Sequence, residues 1–161
     1  MKGEEILDGV ASGTVDLGHV NIAYYPKRLI LNSAIYLIQR GPTQYDNIIW
    51  VYDKIYHDLA VLKAEFEKFT QKIIYTYPVL PTAVCFNKPV KSFADFRGKR
   101  IRSASRWSLE IMKGMGVVPI SAHRDLCYLG LKTNAIEGVL TRYGGIYIGK
   151  LDEVAKHIFI A

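Results

Sequence analysis

Basic side chains are densest where a predicted strand, residues 99–104, runs into a predicted helix. The cluster consists of Arg97, Lys99, Arg100, Arg102 and Arg106. Alternation puts Arg100 and Arg102 on one strand face, with Arg102 near the carboxyl end and Ser105 capping the helix that follows. The unbonded amides and dipole of a helix start favour an anion, and a guanidinium grips a carboxylate through two hydrogen bonds. The sequence therefore predicts an anion site at Arg102, against the alternative of a solvated basic stripe with one structural ion pair.

Two further motifs are weaker. Tyr143-Gly144-Gly145 follows another predicted strand end, where a backbone could approach a phosphate, but the spacing is not that of a dinucleotide loop and a plain turn is favoured. His123 and Cys127 lie four residues apart on one helix, without a third metal ligand, so a core cysteine is favoured. No nucleophile motif is present, and the sequence predicts neither an enzyme nor a cofactor.

The elements that must position these residues alternate after residue 92. Strands are predicted at 99–104, 117–120 and 135–141, and helices from Ser105, at 123–132 and at 147–159. This order favours an α/β fold with a mostly parallel sheet. Earlier in the chain, the pattern predicts a helix at 2–12 ending at Gly13, a strand at 15–22, one long helix at 43–69 and an extended strand at 72–86.

Composition sets the limits of this interpretation. The chain has 161 residues, 50% hydrophobic and 22% charged, which indicates a globular protein of one domain or two small lobes. No apolar run of about 20 residues and no signal peptide is evident. The net charge of +6 favours acidic partners, but the basic cluster lacks the aromatic pattern of nucleic-acid binders. Cys85 and Cys127 do not form a disulfide framework and do not indicate a redox compartment.

Both ends of the sequence indicate a piece of a longer protein. The last residues, 157–161, are apolar, whereas most chain ends are polar. A parallel sheet normally begins with a strand before its first amphipathic helix, and that strand is missing here. We therefore expect a fragment, whose exposed surfaces could drive dimerisation.

An ordered set of short segments covers nearly the whole chain. The segments are VASGTVDLG at 10–18, YYP at 24–26, NKPV at 87–90, ADFRGKRIR at 94–102, MGVVP at 115–119, YLGLKTNAIEG at 128–138 and KLDEVAK at 150–156. Together they resemble the solute receptors of tripartite ATP-independent periplasmic (TRAP) transporters, the dicarboxylate-receptor family.

This resemblance implies a periplasmic-binding-protein-like fold of type II, with two lobes that close on a small organic acid. It also implies a periplasmic location, delivery of the acid to a membrane permease of a large and a small subunit, and no nucleic acid. The chain would be the middle part of a receptor, with residues 1–82 in lobe I, 83–161 in lobe II, and a strand crossing between them. Both lobes would be incomplete.

The resemblance also implies site residues. Arg102 falls on the arginine that pairs with the ligand carboxylate in this family. A second arginine of some relatives falls near Thr82, and a common asparagine falls near Thr141, so both positions depart from the family pattern. Asn21, Tyr24 and Tyr25 stand where lobe I contributes pocket residues, and Trp107 and Tyr143 flank the strand ends as a possible aromatic wall. The alternatives are a nucleotide-binding α/β enzyme that uses residues 143–149, a basic nucleic-acid module, and a fragment without activity.

Overall fold

A computed structural model describes residues 1–37, 42, 44–78 and 82–160 of the chain. The chain divides into two compact units, Met1–Pro78 and Val79–Ala161. This division lies close to the boundary expected from the sequence at residue 82, and the assignment of the units to two receptor lobes stays a prediction. Along the described residues, no helix is both long and apolar enough to cross a membrane.

The first unit is helical. Its described residues form the α-helices α1 (Ile6–Ala11), α2 (Ile30–Ser33), α3 (Tyr45–Asp58) and α4 (Ala60–Glu67). Gly13 follows α1 with a φ of +71°, the left-handed conformation that commonly ends a helix. Leu7, Tyr25, Leu29 and Phe66 form the buried core of the unit.

A buried polar network joins α2 to α4. The Glu65 carboxylate accepts hydrogen bonds from the backbone amides of Leu31 and Asn32, each 2.9 Å long, and from Nδ2 of Asn32. Asn32 is fully buried, and the Tyr56 hydroxyl donates to its Oδ1 at 2.6 Å. The carboxylate therefore satisfies amide groups in the first turn of α2 that would otherwise lack partners.

Two predictions for the first unit are wrong. Residues 15–20 form no strand, because this segment packs on α1: a Cβ on Gly18 would collide with Ile6 and Val10. The long helix at 43–69 is two helices, since Leu59 takes φ −104° and ψ 81° and breaks the backbone hydrogen bonding. Periodicity continued across this break, so the pattern did not show it. Residue 43 lies outside the described residues.

The second unit is built on a five-stranded mixed sheet in the order β3-β2-β4-β1-β5. The strands are β1 (Thr82–Phe86), β2 (Arg100–Ser103), β3 (Val118–Ser121), β4 (Gly138–Arg142) and β5 (His157–Ile160). β2 is parallel to β3 and β4, whereas β1 pairs antiparallel with β4 and β5. The α/β fold is confirmed. The sheet is mixed and not mostly parallel, because β1 runs antiparallel to both of its neighbours, β4 and β5.

Helices cover both faces of this sheet. They are α5 (Arg106–Gly114), α6 (Cys127–Lys132) and α7 (Tyr143–Ile148). On one face, Met112 of α5 packs in a cluster with Ile101 of β2. On the other, Cys127 of α6 and Ile146 of α7 pack with Val139 of β4. Each helix thus buries an apolar stripe against the sheet.

Two further predictions, the helix at 147–159 and the strand at 72–86, differ from the structure. The helix predicted at 147–159 is wrong: α7 ends at Ile148, Lys150 takes a left-handed φ of 50°, and the alternating residues 157–160 form β5 against β1. The strand predicted at 72–86 is confirmed only as β1, since residues 72–78 have no regular structure. Residues 79–81 lie outside the described residues.

We predict that Glu65→Gln destabilises the first unit. Burial alone raises the pKa of the Glu65 carboxyl, but the hydrogen bonds from Asn32 and Leu31 outweigh it, so the net pKa is lowered. A lowered pKa contributes stability above the unfolded-state pKa that is lost as the folded form is protonated. Urea denaturation near neutral pH should show a loss of about 2–3 kcal/mol.

The wild-type advantage over Glu65→Gln should shrink below about pH 4 as the carboxylate is protonated. The control is Glu67→Gln, an exposed position on the same helix, which should leave the unfolding free energy unchanged. Equal stability of the two variants would contradict a structural role for the Glu65 carboxylate.

We also predict that Gly145→Ala destabilises the second unit by about 1–3 kcal/mol, because a Cβ there would collide with Oγ1 of Thr141 and push α7 away from β4. The matched control is the neighbouring Gly144→Ala. A Cβ at Gly144 meets nothing within 4 Å, so this change should raise stability by up to about 1 kcal/mol. Thermal denaturation of the pair measures the difference, and a Gly145→Ala variant as stable as Gly144→Ala would refute the close contact.

Candidate functional site

Several of the predicted site residues meet at one end of the second unit's sheet. The parallel strands β2, β3 and β4 all finish there, and the antiparallel strand β1 begins there with Thr82. We call this region the carboxyl end of the sheet. In open α/β sheets, ligands bind outside the carboxyl ends of the strands.

Arg102 is the most buried charged side chain of this region, with 4% of its surface exposed. Its Nε donates a hydrogen bond of 2.7 Å to the carbonyl oxygen of Ala122, which follows β3. Its Nη2 is buried and has no hydrogen-bond partner among the described residues. A buried charge without a full set of partners costs stability, so this guanidinium is an exception that calls for an explanation.

The surroundings of Arg102 are apolar. The register places it opposite Ile120 on β3 and Val139 on β4, so these three side chains share one sheet face. Burial raises the pKa of the Cys127 thiol on the same face, and the charges of Arg102 and Arg124 partly oppose that rise. The low local dielectric strengthens any ion pair that Arg102 forms.

The basic cluster divides between the two ends of β2. Arg100 is exposed at the amino end, where its Nη2 donates to the Asn134 carbonyl oxygen at 2.8 Å and its Nε lies 3.5 Å from Glu137. The Lys99 ammonium lies 3.9 Å from the same carboxylate. Arg100 and Lys99 therefore have an acidic partner, and Arg102 alone of the cluster is buried.

The two predicted threonines lie near this end on adjacent strands. Thr82 pairs with Arg142 across β1 and β4, and Thr141 pairs with Ala83. Thr141 shares the face of Val139 two residues earlier, hence also the face of Arg102. Both threonines are half-buried, and the Thr141 hydroxyl lies against α7 at Gly145.

The two predicted aromatic residues belong to the helices that follow the strand ends. Trp107 is half-buried in the first turn of α5, and its ring centroid lies 5.9 Å from the Arg106 guanidinium carbon. Tyr143 begins α7 directly after β4 and is 38% exposed. The Ser105 side chain accepts a hydrogen bond from the Ser108 amide, so the predicted cap of α5 is confirmed.

The remaining predicted residues, Asn21, Tyr24 and Tyr25, lie in the first unit. Asn21 accepts a hydrogen bond from the Ala23 amide. Tyr24 is half-buried, and Tyr25 is a core residue whose hydroxyl donates to the Gly3 carbonyl and accepts from the Leu7 amide. These contacts assign Asn21 and Tyr25 a structural task, and a role of the three residues in ligand binding stays a prediction.

The weaker motifs have structural explanations. Gly145 allows α7 to approach Thr141. The Cys127 thiol is buried and lies 3.9 Å from the carbonyl oxygen of His123, and the described part of the chain holds no group of three or more potential metal ligands. The Nδ1 atom of His123 lies 3.2 Å from Asp125.

Two groups at the carboxyl end of the sheet, the Ala122 carbonyl and the Arg142 side chain, were not predicted from the sequence. The Ala122 carbonyl orients Arg102, but a backbone group leaves no signature in residue type. Arg142 lies at the end of β4 opposite Thr82, and its position just before the Tyr143-Gly144-Gly145 turn could have shown it.

Solved structures share this architecture. A TRAP periplasmic solute-binding protein from Bordetella bronchiseptica, solved with (R)- and (S)-mandelate, has a TM-score of 0.81 at 27% identity over 98% of this chain and 50% of its own. The periplasmic ectoine-binding protein of the Halomonas elongata TeaABC TRAP transporter gives 0.81 at 22% identity, covering 96% and 50%. A marine metagenome receptor specific for aromatic acids, solved with 3-hydroxybenzoate, gives 0.80 at 19%, covering 98% and 48%.

These matches confirm the expected fold and show that the chain spans about half the length of the receptors it resembles. The family consists of extracytoplasmic solute receptors and not of enzymes. The sequence profile of the bacterial extracellular solute-binding proteins of family 7 matches residues 1–161. Because that match covers the whole sequence, the chain belongs to this family, the solute receptors of TRAP transporters.

Proposed function

We propose that the chain captures a small organic acid outside the cytoplasm for a TRAP permease, and that Arg102 binds the carboxylate of this acid at the carboxyl end of the sheet. The observation that carries the proposal is the buried Nη2 of Arg102, which has no partner among the described residues. A carboxylate would supply the missing acceptor and the opposite charge together.

The orientation of Arg102 supports a carboxylate. A guanidinium offers five N–H donors in a planar fork, and the Ala122 carbonyl occupies the one on Nε. Nη2, which has no partner among the described residues, is left to donate to one carboxylate oxygen, and a guanidinium can add a second, parallel hydrogen bond to the other oxygen. A lysine at this position would keep the charge but would lose both the Ala122 contact and the planar fork.

The surrounding charge supports attraction of an anion. Residues 79–161 contain 13 of the 21 Lys and Arg residues of the chain and 6 of its 15 Asp and Glu residues. The positive charge is thus concentrated in the unit that contains Arg102. Such a field raises the local concentration of anions and the rate at which they bind.

The start of α5 adds to the same site. This helix has nine residues and begins three residues after the end of β2, so the positive end of its dipole lies near the Arg102 strand end. The hydroxyls of Thr82 and Thr141 are the further donors that we assign to the ligand. Asn21, Tyr24 and Tyr25 remain the residues expected from the first unit.

The relative from Bordetella bronchiseptica supports the choice of a small acid, since it was solved with mandelate, a monocarboxylate. The large and small permease subunits and the periplasmic location follow from the receptor family and are part of this proposal. ATP and NAD are the probes that test the alternative of a nucleotide-binding protein.

We predict that Arg102→Met and Arg102→Lys abolish or strongly weaken acid binding while the chain stays folded. Loss of a buried, hydrogen-bonded charge should cost about 2–5 kcal/mol of binding, or at least a thirtyfold rise in Kd. Because the guanidinium is incompletely paired in the ligand-free chain, Arg102→Met should change the unfolding free energy by less than about 1 kcal/mol.

The measurement is a thermal-shift screen of mono- and dicarboxylates, ATP and NAD, followed by calorimetric titration. Arg100→Lys is the matched control, on the same strand but exposed at the amino end, and it should bind acids as the wild type does. Unchanged affinity in Arg102→Lys would contradict the proposal, and stabilisation by ATP or NAD alone would favour the nucleotide-binding alternative.

A further inference from the structure

Arg102 is the only lysine or arginine that is buried among the described residues. Arg106 and Arg124 are exposed near the same end of the sheet, and Arg100 is held by Glu137 at the other end. Arg142, at the end of β4, is only half-buried and has an interaction partner of its own. The described chain therefore offers one desolvated partner for an anionic group. A second carboxylate placed out of water would lack an equivalent partner and would cost binding energy.

Aromatic residues lie in the first turns of the two helices that follow neighbouring strand ends at the carboxyl end of the sheet. α5 packs on one face of the sheet and α7 on the other, so Trp107 and Tyr143, each in the first turn of its helix, border the carboxyl end from opposite faces. The strands that precede them, β2 and β4, are neighbours. Both residues keep exposed surface, since Trp107 is half-buried and Tyr143 is 38% exposed.

The other surroundings are apolar or weakly polar. Ile120 and Val139 share the sheet face of Arg102, and Thr82 and Thr141 supply hydroxyls but no charge. The Arg106 guanidinium carbon lies 5.9 Å from the centroid of the Trp107 ring. Aromatic rings bind other aromatic rings with a gain beyond the area that they bury.

We infer that the acid bound at Arg102 is a monocarboxylate that carries an aromatic ring, with the ring bordered by Trp107 and Tyr143. This inference rests on the proposed function, because it names the ligand class of the same site. Trp107 and Tyr143 are the residues that determine specificity, and Arg102 is the residue that holds the carboxylate.

The test is calorimetric titration of the 161-residue chain with phenylacetate, cyclohexylacetate, propionate and succinate. Phenylacetate and cyclohexylacetate carry the same carboxylate on rings of similar size, so their difference isolates aromaticity. We expect phenylacetate to bind at least about tenfold more tightly than cyclohexylacetate and succinate. Cyclohexylacetate lacks the aromatic character of the ring, and succinate carries a second carboxylate in place of a ring.

Variants separate the ring from the carboxylate. Trp107→Leu and Tyr143→Leu should each raise the Kd of phenylacetate about tenfold and leave that of propionate unchanged, whereas Arg102→Lys should weaken both acids. Tyr147→Leu is the matched control, one turn further along α7 and 80% exposed, and should have no effect. In a Trp50→Phe background, Trp107 is the remaining tryptophan, and its emission should change on addition of phenylacetate.

The outcomes distinguish a failure of the proposed function from a failure of the aromatic inference alone. If no acid binds, the proposed function fails and the inference with it. If acids bind and depend on Arg102, but succinate or cyclohexylacetate binds as tightly as phenylacetate, the aromatic inference alone is overturned. Should Trp107→Leu lower the melting temperature markedly, Tyr143→Leu decides, and an unchanged phenylacetate affinity in that variant also overturns it.

Discussion

The guanidinium of Arg102 is removed from water among Ile120, Val139 and Cys127. Its hydrogen bond to the Ala122 carbonyl replaces only part of the lost hydration. The sheet makes this position possible, since paired strands on both sides of β2 satisfy its backbone groups and hold the side chain out of water. In the proposed function, the incomplete pairing is what makes the position useful, because the energy that folding leaves uncompensated becomes available when an anion binds. Both the proposed capture of an acid and the proposed choice of an aromatic acid depend on this one desolvated charge.

The two units treat a buried charge in opposite ways. Glu65 is as buried as Arg102, but its carboxylate accepts from two backbone amides and the Asn32 side chain, and Tyr56 completes the network. A charge with that many donors stabilises helix packing and has little left to offer a ligand. Arg102 keeps buried donors without acceptors. The contrast between a satisfied and an unsatisfied buried charge supports a structural role for Glu65 and the proposed binding role for Arg102.

The core of the second unit explains how the unit tolerates an incompletely paired charge. The apolar clusters on the two faces of the sheet hold α5, α6 and α7 in place, so the incompletely paired guanidinium is a local cost against an extensive core. At the amino end of β2, Glu137 pairs with Arg100 and Lys99, so those charges do not compete with Arg102 for an acid. Among the described residues, Arg102 is the single buried cation at the carboxyl end of the sheet, and the proposed selection of ligands by the group attached to the carboxylate depends on this.

The sequence by itself determined the α/β class, the strand and capped helix around Arg102 and Ser105, and the receptor family, because these depend on local propensity and on motifs in order. Tertiary structure decided the rest. Periodicity continues through the break at Leu59, and residues 157–160 form a strand only because β1 offers them a partner. Burial of Arg102 and its bond to the carbonyl of Ala122 depend on three strands meeting, and no residue type encodes a backbone oxygen. The position of the proposed anion site is local and visible in the sequence, but the desolvation of Arg102 comes from contacts between distant segments.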